Sequence, residues 1–331
     1  MNKGRTLFAL VAFSVLIVAA APLIGPHWIP PGAILKPVKG VFESDLFWKI
    51  RLPRVCTSFL AGSALAVGGL AFQAIFRNAL ATPFTLGVSS GASLGATLYV
   101  GLGFTFSIFG FPGDVLASFV GALLSVALVY YLSRLKKGFS TSSMLLAGVA
   151  VSFFFSSLIL LVQYMSDFTK SFQILRRLIG GIQVVGFEEA LNLLPFVVTG
   201  IAVVASLSHE LNLFTVGEDI ATSRGVNVNR TKKVLFLFIS LMVGGVVALC
   251  GPIGFVGMMV PHIVRLFLGA DHRYLIPGSL AFGGGFLTLC DTISRTVLSP
   301  VELPVGVITA ILGGPFFIWL LLSGSSDKSF F

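Results

Sequence analysis

Of 331 residues, 56% are hydrophobic and only 11% are charged. A soluble domain carries roughly 25% charged residues, so this chain cannot clothe a water-facing surface and its solvent is lipid. The net charge of +9 does not indicate nucleic acid, because the longest basic cluster is Arg134–Lys136–Lys137, and basic residues of membrane proteins collect in the loops that stay inside.

Crossing ~30 Å of hydrocarbon takes about 20 helical residues. Apolar runs of that order begin near Thr6, Leu52, Phe84, Asp114, Ser142, Ala190, Val234, Ile276 and Pro304, and a shorter one covers Val256–Leu268. The expectation is a single transmembrane domain over residues 1–331, all-α and polytopic, with about ten helices. The first run follows Lys3 and Arg5 and ends near Ala19–Ala20–Ala21, a pattern shared with signal peptides. It nearly reaches a full span and heads many others, so it reads as an uncleaved first helix. Barrel strands would alternate polar and apolar residues over ~10 positions, and no such alternation is seen.

If the N-terminus is cytoplasmic and each run crosses once, the inside holds 13 of the 22 basic residues. The outside holds Lys36, Lys39, Lys49, Arg51, Arg54, Lys170, Arg176, Arg177 and Arg295. The bias has the sign that keeps both termini inside. Nine outward basic residues exceed what orientation needs, so a partner or ligand outside is expected to use them. Two connections are long enough to be structured: about 166–189 outside and about 209–233 inside. Many of the 37 glycines lie within the runs, where small residues let helix backbones approach closely. Gly251–Pro252 and Pro261 flank the short run and mark an expected break. Cys56, Cys250 and Cys290 are odd in number and widely spaced, which fits small buried hydrophobes and neither a disulfide framework nor a metal site.

Several segments together resemble one family. They are Arg51–Leu52–Pro53–Arg54; AFQAIFRNALATPFTLGVSSGASLGA (71–96); TSSMLLAGVAV (141–151); VGEDIATSRGVNVNR (216–230); GPIGFVGMMVPHIVR (251–265); and ELPVGVITAILGGPFFIWLL (302–321). In order and spacing they are similar to the FecCD/cobalamin-type permeases of bacterial binding-protein-dependent importers. The resemblance implies type II importer architecture and a dimer with a pathway on its axis. It implies two ATP-binding subunits beneath, a soluble binding protein above, and as cargo an iron–siderophore, haem or cobalamin. No cofactor and no catalytic residue are implied.

The residues agree with parts of this. No GxxxxGK[ST] phosphate loop occurs, and no Gly–Lys pair at all, so nucleotide would be held by a partner. The contact with that partner is expected on Gly217, Glu218, Asp219, Ala221, Arg224 and Gly225, which match the family's coupling helices. Arg51 and Arg54 lie three apart and share a helix face. With Arg295 they match arginines that meet glutamates of the binding protein; snorkelling to headgroups, or an Arg295–Asp291 pair at four-residue spacing, would also explain them. Residues matching the family's cytoplasmic gate are Asn78, Leu80, Thr141 and Ser142. The fifth span, with Ser152, Phe153, Phe154, Phe155, Ser156 and Ser157, is a candidate pathway wall, although the phenylalanines could equally face lipid. An ion-coupled secondary transporter is the rival reading, opposed by the shortage of acidic residues within the runs. A hydrolase built on Ser89 and His262 is a weaker one: Gly87–Gly91 matches GxSxG but falls in a helical stretch rather than a strand–turn–helix elbow. His262 has no ligand partners nearby in sequence and reads as structural. His209–Glu210 opens like HExxH but has Leu213 where the second histidine belongs.

Overall fold

The computed structural model describes residues 3–35, 41–108, 111–135 and 141–322. α1 (Lys3–Ala20) leads through a short α2 (Pro31–Leu35) to α3 (Phe42–Asp45), which runs on through a π-helical stretch (Leu46–Arg51) into α4 (Leu52–Phe76). Then come α5 (Val88–Gly101), a two-stranded antiparallel ribbon of β1 (Ser107–Ile108) and β2 (Phe111–Pro112), α6 (Gly113–Leu135), α7 (Thr141–Met165) and the surface helix α8 (Phe168–Leu178). α9 (Glu188–Ser206), α10 (Ser208–Val216), α11 (Glu218–Ser223), α12 (Val228–Cys250), α13 (Val256–Leu268), α14 (His272–Ser294) and α15 (Val305–Leu322) complete the chain.

Seven of the described helices are long and apolar enough to cross a bilayer. α5, α13 and α14 stand among them, so the expected set of about ten is present with α5 and α13 short. The centre is α4, buried almost throughout and packed against α9, α12, α13 and α14. Its alanines, glycines and serines make this possible, since lipid gives helices no hydrophobic reason to associate and close backbone approach must do so. A Cβ on Gly69 would overlap the carbonyl of Gly257 on α13, and one on Gly91 of α5 would overlap that of Gly121 on α6. The second contact is how GxSxG is used: Ser89 is buried one residue into α5, in a helix–helix seam.

The run expected from Phe84 becomes helical only at Val88. Residues 78–87 re-enter the bundle as irregular backbone, with Leu86 against Gly148 of α7 and Gly87 against Ser125 of α6. Non-helical backbone at such depth must be satisfied by protein. Here Ser125 Oγ donates to the Gly87 carbonyl (2.7 Å), and Thr82 and Thr85 bond one another's backbone. Gly87, at φ 82°, lets the chain turn into α5.

The break at Gly251–Pro252 is present: α12 stops at Cys250, Gly251 has φ 69°, and α13 starts after Phe255, itself at φ 68°. Pro261 does not break the segment as expected. It lies inside α13, and the carbonyl its missing N–H would have served, that of Gly257, accepts from Gln73 Nε2 on α4 (3.3 Å). An unserved buried carbonyl costs about 1–3 kcal/mol, so one glutamine amide makes the proline tolerable.

Candidate functional site

The end of the bundle that carries Arg54, outer in the charge reading, holds a buried charge cluster. Arg54 Nε reaches both Asp291 carboxylate oxygens at 3.0 Å, and its Nη1 reaches Glu302 Oε2 at 2.8 Å. Arg51 donates to the carbonyls of Pro22 (3.2 Å), Leu23 (3.3 Å) and His27 (2.6 Å) in the turn after α1. Arg295 donates to the Ala21 carbonyl in that turn and to Thr292 Oγ1. The three arginines were expected as open guanidinium groups at the rim; instead they are 3%, 8% and 5% exposed. The pairing of Arg295 with Asp291 is also replaced, since Asp291 faces α4 and takes Arg54. The physical reason is shared. A guanidinium at the edge of hydrocarbon must be paired or hydrogen-bonded, and carboxylates and turn carbonyls from neighbouring elements lie within reach. The arginines thus join α1, α4 and α14 at this end.

Beside the cluster, α8 lies across the bundle. Asp167 caps it by accepting from the Lys170 amide, and Arg177 pins it to Asp114 (3.0 Å) and to the Ala248 carbonyl (2.7 Å). Its exit strand is stitched by backbone bonds from Gly181 to Cys250, from Gly306 to Gly180 and from Gly186 to Lys49.

At the opposite end α10 and α11 form a hairpin hinged at Gly217 (φ 153°) and closed at Gly225 (φ 84°). It is pinned at two points. Glu218 Oε1 meets Lys232 Nζ of α12 at 2.6 Å, with Lys232 only 4% exposed. Asn212 of α10 bridges to the α13–α14 turn: its amide donates to Asp271 Oδ1 (2.9 Å), while its oxygen accepts from the His272 backbone N–H (2.9 Å) and faces His272 Nδ1 (2.7 Å). An amide oxygen only accepts, so Nδ1 carries the hydrogen. Asp271 lies outside the spans. Burial works against its charge, but the bonds from Asn212 and the Arg273 amide, with Arg273 and Lys3 nearby, outweigh it and hold the carboxyl below its usual range. Ala221 is fully buried beneath the hairpin, while Asp219, Ile220, Arg224 and Val216 are exposed. The six residues singled out from sequence therefore divide. Ala221 and Glu218 hold the hairpin down, Gly217 and Gly225 shape it, and Asp219 and Arg224 face outward.

Of the four residues expected at a gate, Asn78 follows α4 and its Oδ1 caps the Leu80 amide (2.9 Å), with Leu80 57% exposed. Thr141 and Ser142 open α7, and their side chains lie outside the described residues, as do Lys136 and Lys137. Along α7, Phe153 and Phe154 are exposed together with Ser156 and Ser157. His262 packs edge-on against Phe316, 5.6 Å between ring centres, as a structural residue would.

Residues 10–323 match the model of the FecCD transport family. The chain belongs to that family. Among its relatives, the vitamin B12 import permease BtuC of Klebsiella pneumoniae is 38% identical over 97% of this chain and 94% of its own length. The hemin permease HmuU of Yersinia pestis is 35% identical over 86% and 87%. A solved inward-facing transporter assigned to the metal-chelate ABC type superposes with a TM-score of 0.86 at 30% identity, covering 97% of this chain and 99% of that one. The protein is a multi-pass permease of an ATP-binding-cassette importer, with the type II architecture. Sequence reading did not find the partners that make its ends rigid. Lys232 was one of several basic residues in a loop, Asn212 lies in no family-like segment, and Gln73 and Glu302 lie in such segments (71–96 and 302–321) without a role of their own being marked there. Only the separation of 14 positions between Glu218 and Lys232, bent back by Gly225, could have suggested that pair.

Proposed function

We propose that this permease works as one half of a pair and imports a metal chelate (an iron–siderophore, haem or cobalamin). The cargo is handed over outside by a soluble binding protein, and the work comes from two ATP-hydrolysing subunits gripping α10–α11. The observation that carries this is the hairpin itself. In a chain with no phosphate loop, one short element presents Val216, Ile220, Asp219 and Arg224 to a partner and is fastened by Glu218–Lys232 and Asn212–Asp271 to α12 and α14. A push on such an element is passed to the helices behind it. Both termini then lie in the cytoplasm, and the Arg54 end faces outward.

Docking of the binding protein belongs to that outer end. Arg51, Arg54 and Arg295 support it from beneath, by holding Glu302 and the turn after α1 in place. The exposed face of α7, with Ser156 and Ser157 among phenylalanines, serves as the pathway wall. Hydroxyls bonded to their own helix, as Ser157 is to Phe153 (3.0 Å), offer a polar but weakly binding surface, which suits release of a large cargo. Asn78 and Leu80, with Thr141 and Ser142, form the inner gate. The partners bias a two-state opening, and swinging it from 1:99 to 99:1 takes about 5.5 kcal/mol of differential binding. An ion-coupled carrier would need an accessible carboxylate inside the bundle, and Asp291 is taken by Arg54.

The test is uptake of haem, cobalamin and a ferric siderophore by proteoliposomes holding the permease, its ATPase and its binding protein. ATP-dependent uptake of one cargo, lost when the ATPase is omitted, is expected. Uptake driven by an ion gradient with no ATPase present would refute the proposal.

A further inference from the structure

Outward-facing cations were more numerous than orientation requires, and the structure accounts for nearly all of those it describes. Lys49 pairs with Asp45, Lys170 donates to the Gly101 carbonyl, Arg177 is held by Asp114, and Arg51, Arg54 and Arg295 are internal. Among the described residues, Arg176 is the one outer cation with no carboxylate or carbonyl partner. It is exposed on α8, and its position is concave. A cavity of about 470 Å³ opens on one side, where Arg54 and Glu302 line it, and another of about 330 Å³ opens on the other, where Asp114 and Gln173 line it. Arg176, Gly181 and Gln183 belong to both walls. Gln173, three residues earlier on α8, shares a face with Arg176, and among the described residues neither Gln173 nor Gln183 has a hydrogen-bond partner.

The two acids in these cavities are already neutralised, Asp114 by Arg177 and Glu302 by Arg54. What remains is a guanidinium fork between two amides. That set of donors recognises carboxylates and similar oxyanions and repels cations. The backbone stitching of residues 180–186 to Cys250, Lys49 and Gly306 holds the fork still. The geometry points to an outer vestibule site in which Arg176, flanked by Gln173 and Gln183, takes an anionic group of the incoming chelate. The ligand is small and enters a cavity; a docking protein would meet the rim. The inference rests on the importer reading and adds a substrate class to it: chelates that carry a carboxylate or related oxyanion.

The test uses the permease–ATPase complex in lipid nanodiscs without binding protein, titrated with haem and with haem dimethyl ester, which keeps the ring and caps both carboxylates. Binding is read from the Soret band. Arg176→Gln should weaken haem about tenfold or more and leave the ester unchanged, with Arg176→Lys recovering part of the loss. Arg176 is exposed, and an unaltered thermal midpoint is expected to accompany the effect. Four results would overturn the proposal. They are equal haem affinity in wild type and R176Q, ester binding to wild type as tight as the acid, no haem binding to wild type, and an R176Q that keeps haem but loses capture of substrate-free binding protein. ATP-driven uptake by the wild type, measured in parallel, separates failure of this site from failure of the importer reading.

Discussion

Replacing Asp291 by asparagine removes one charge from a site that is nearly dry. Asp291 is 1% exposed and the Arg54 side chain 9%, so little solvent is present to screen the change. Three short contacts of about 3.0 Å join them, through Nε to both oxygens and through Nη2 to Oδ1. After the change Arg54 keeps Glu302, whose side chain is 54% exposed; a pair of that kind offsets no more than about 1 kcal/mol. Breaking a buried pair from one side costs about 3–5 kcal/mol, because a charge is left without its counterpart. The asparagine oxygen still accepts one bond, so the low end, about 3 kcal/mol, is expected. By the same principle, Arg54→Met with Asp291→Leu removes both charges and should cost far less than D291N alone, or nothing. Reversible denaturation of the purified permease in mixed micelles, followed by helicity, measures both, and the single variants Arg54→Met and Asp291→Leu close the cycle that gives the coupling. A D291N protein within about 0.5 kcal/mol of wild type, or a double variant as damaged as D291N, would refute the reasoning.

Glu218→Gln should strip Lys232 of its carboxylate and loosen the hairpin by about 1–2 kcal/mol, the half-exposed acid being discounted. Basal ATP hydrolysis should persist while its stimulation by loaded binding protein falls, and the swap E218K/K232E should restore part of it. Gly69→Ala drives a methyl into the Gly257 carbonyl, with backbone on both sides, and should cost about 3 kcal/mol or prevent assembly. Gly254→Ala meets nothing within 4 Å and should be neutral in the same expression and melting assay. Because the Asp271 carboxyl titrates below its ordinary range when folded, its clamp on Asn212 contributes stability above the unfolded value near 4 and loses it as pH falls through the lower folded value. Hydrogen exchange of α10 should therefore rise at the acid end of that window. Asn212→Ala should move the onset to higher pH, and no shift of onset would refute the clamp.

Periodicity and composition located the helices well. The starts at Leu52 and Asp114 fall within one residue of those observed, and Val256–Leu268 coincides, because a run of apolar side chains in lipid has few alternatives to a helix. Glycine clusters announced tight packing, and Gly251–Pro252 announced the break. Phe84 misled because the residues before Val88 are as apolar as a span yet run as irregular backbone. That choice was made by Ser125 and Gly148, which lie on other helices. Pro261 misled for the same reason, its freed carbonyl being served by Gln73 from α4.

Site residues followed the same division. The chain's own order displayed which arginines, acids and glycines exist at each end, and family-like segments suggested their roles. Whether a charge is offered to a partner or used up inside depends on neighbours 237 or 14 residues away, as with Arg54 and Asp291 or Lys232 and Glu218. Residue type and hydrophobic period act locally and can be read along one strand of letters. Pairing in a low-dielectric interior depends on distance in space, and that was decided only when the helices packed.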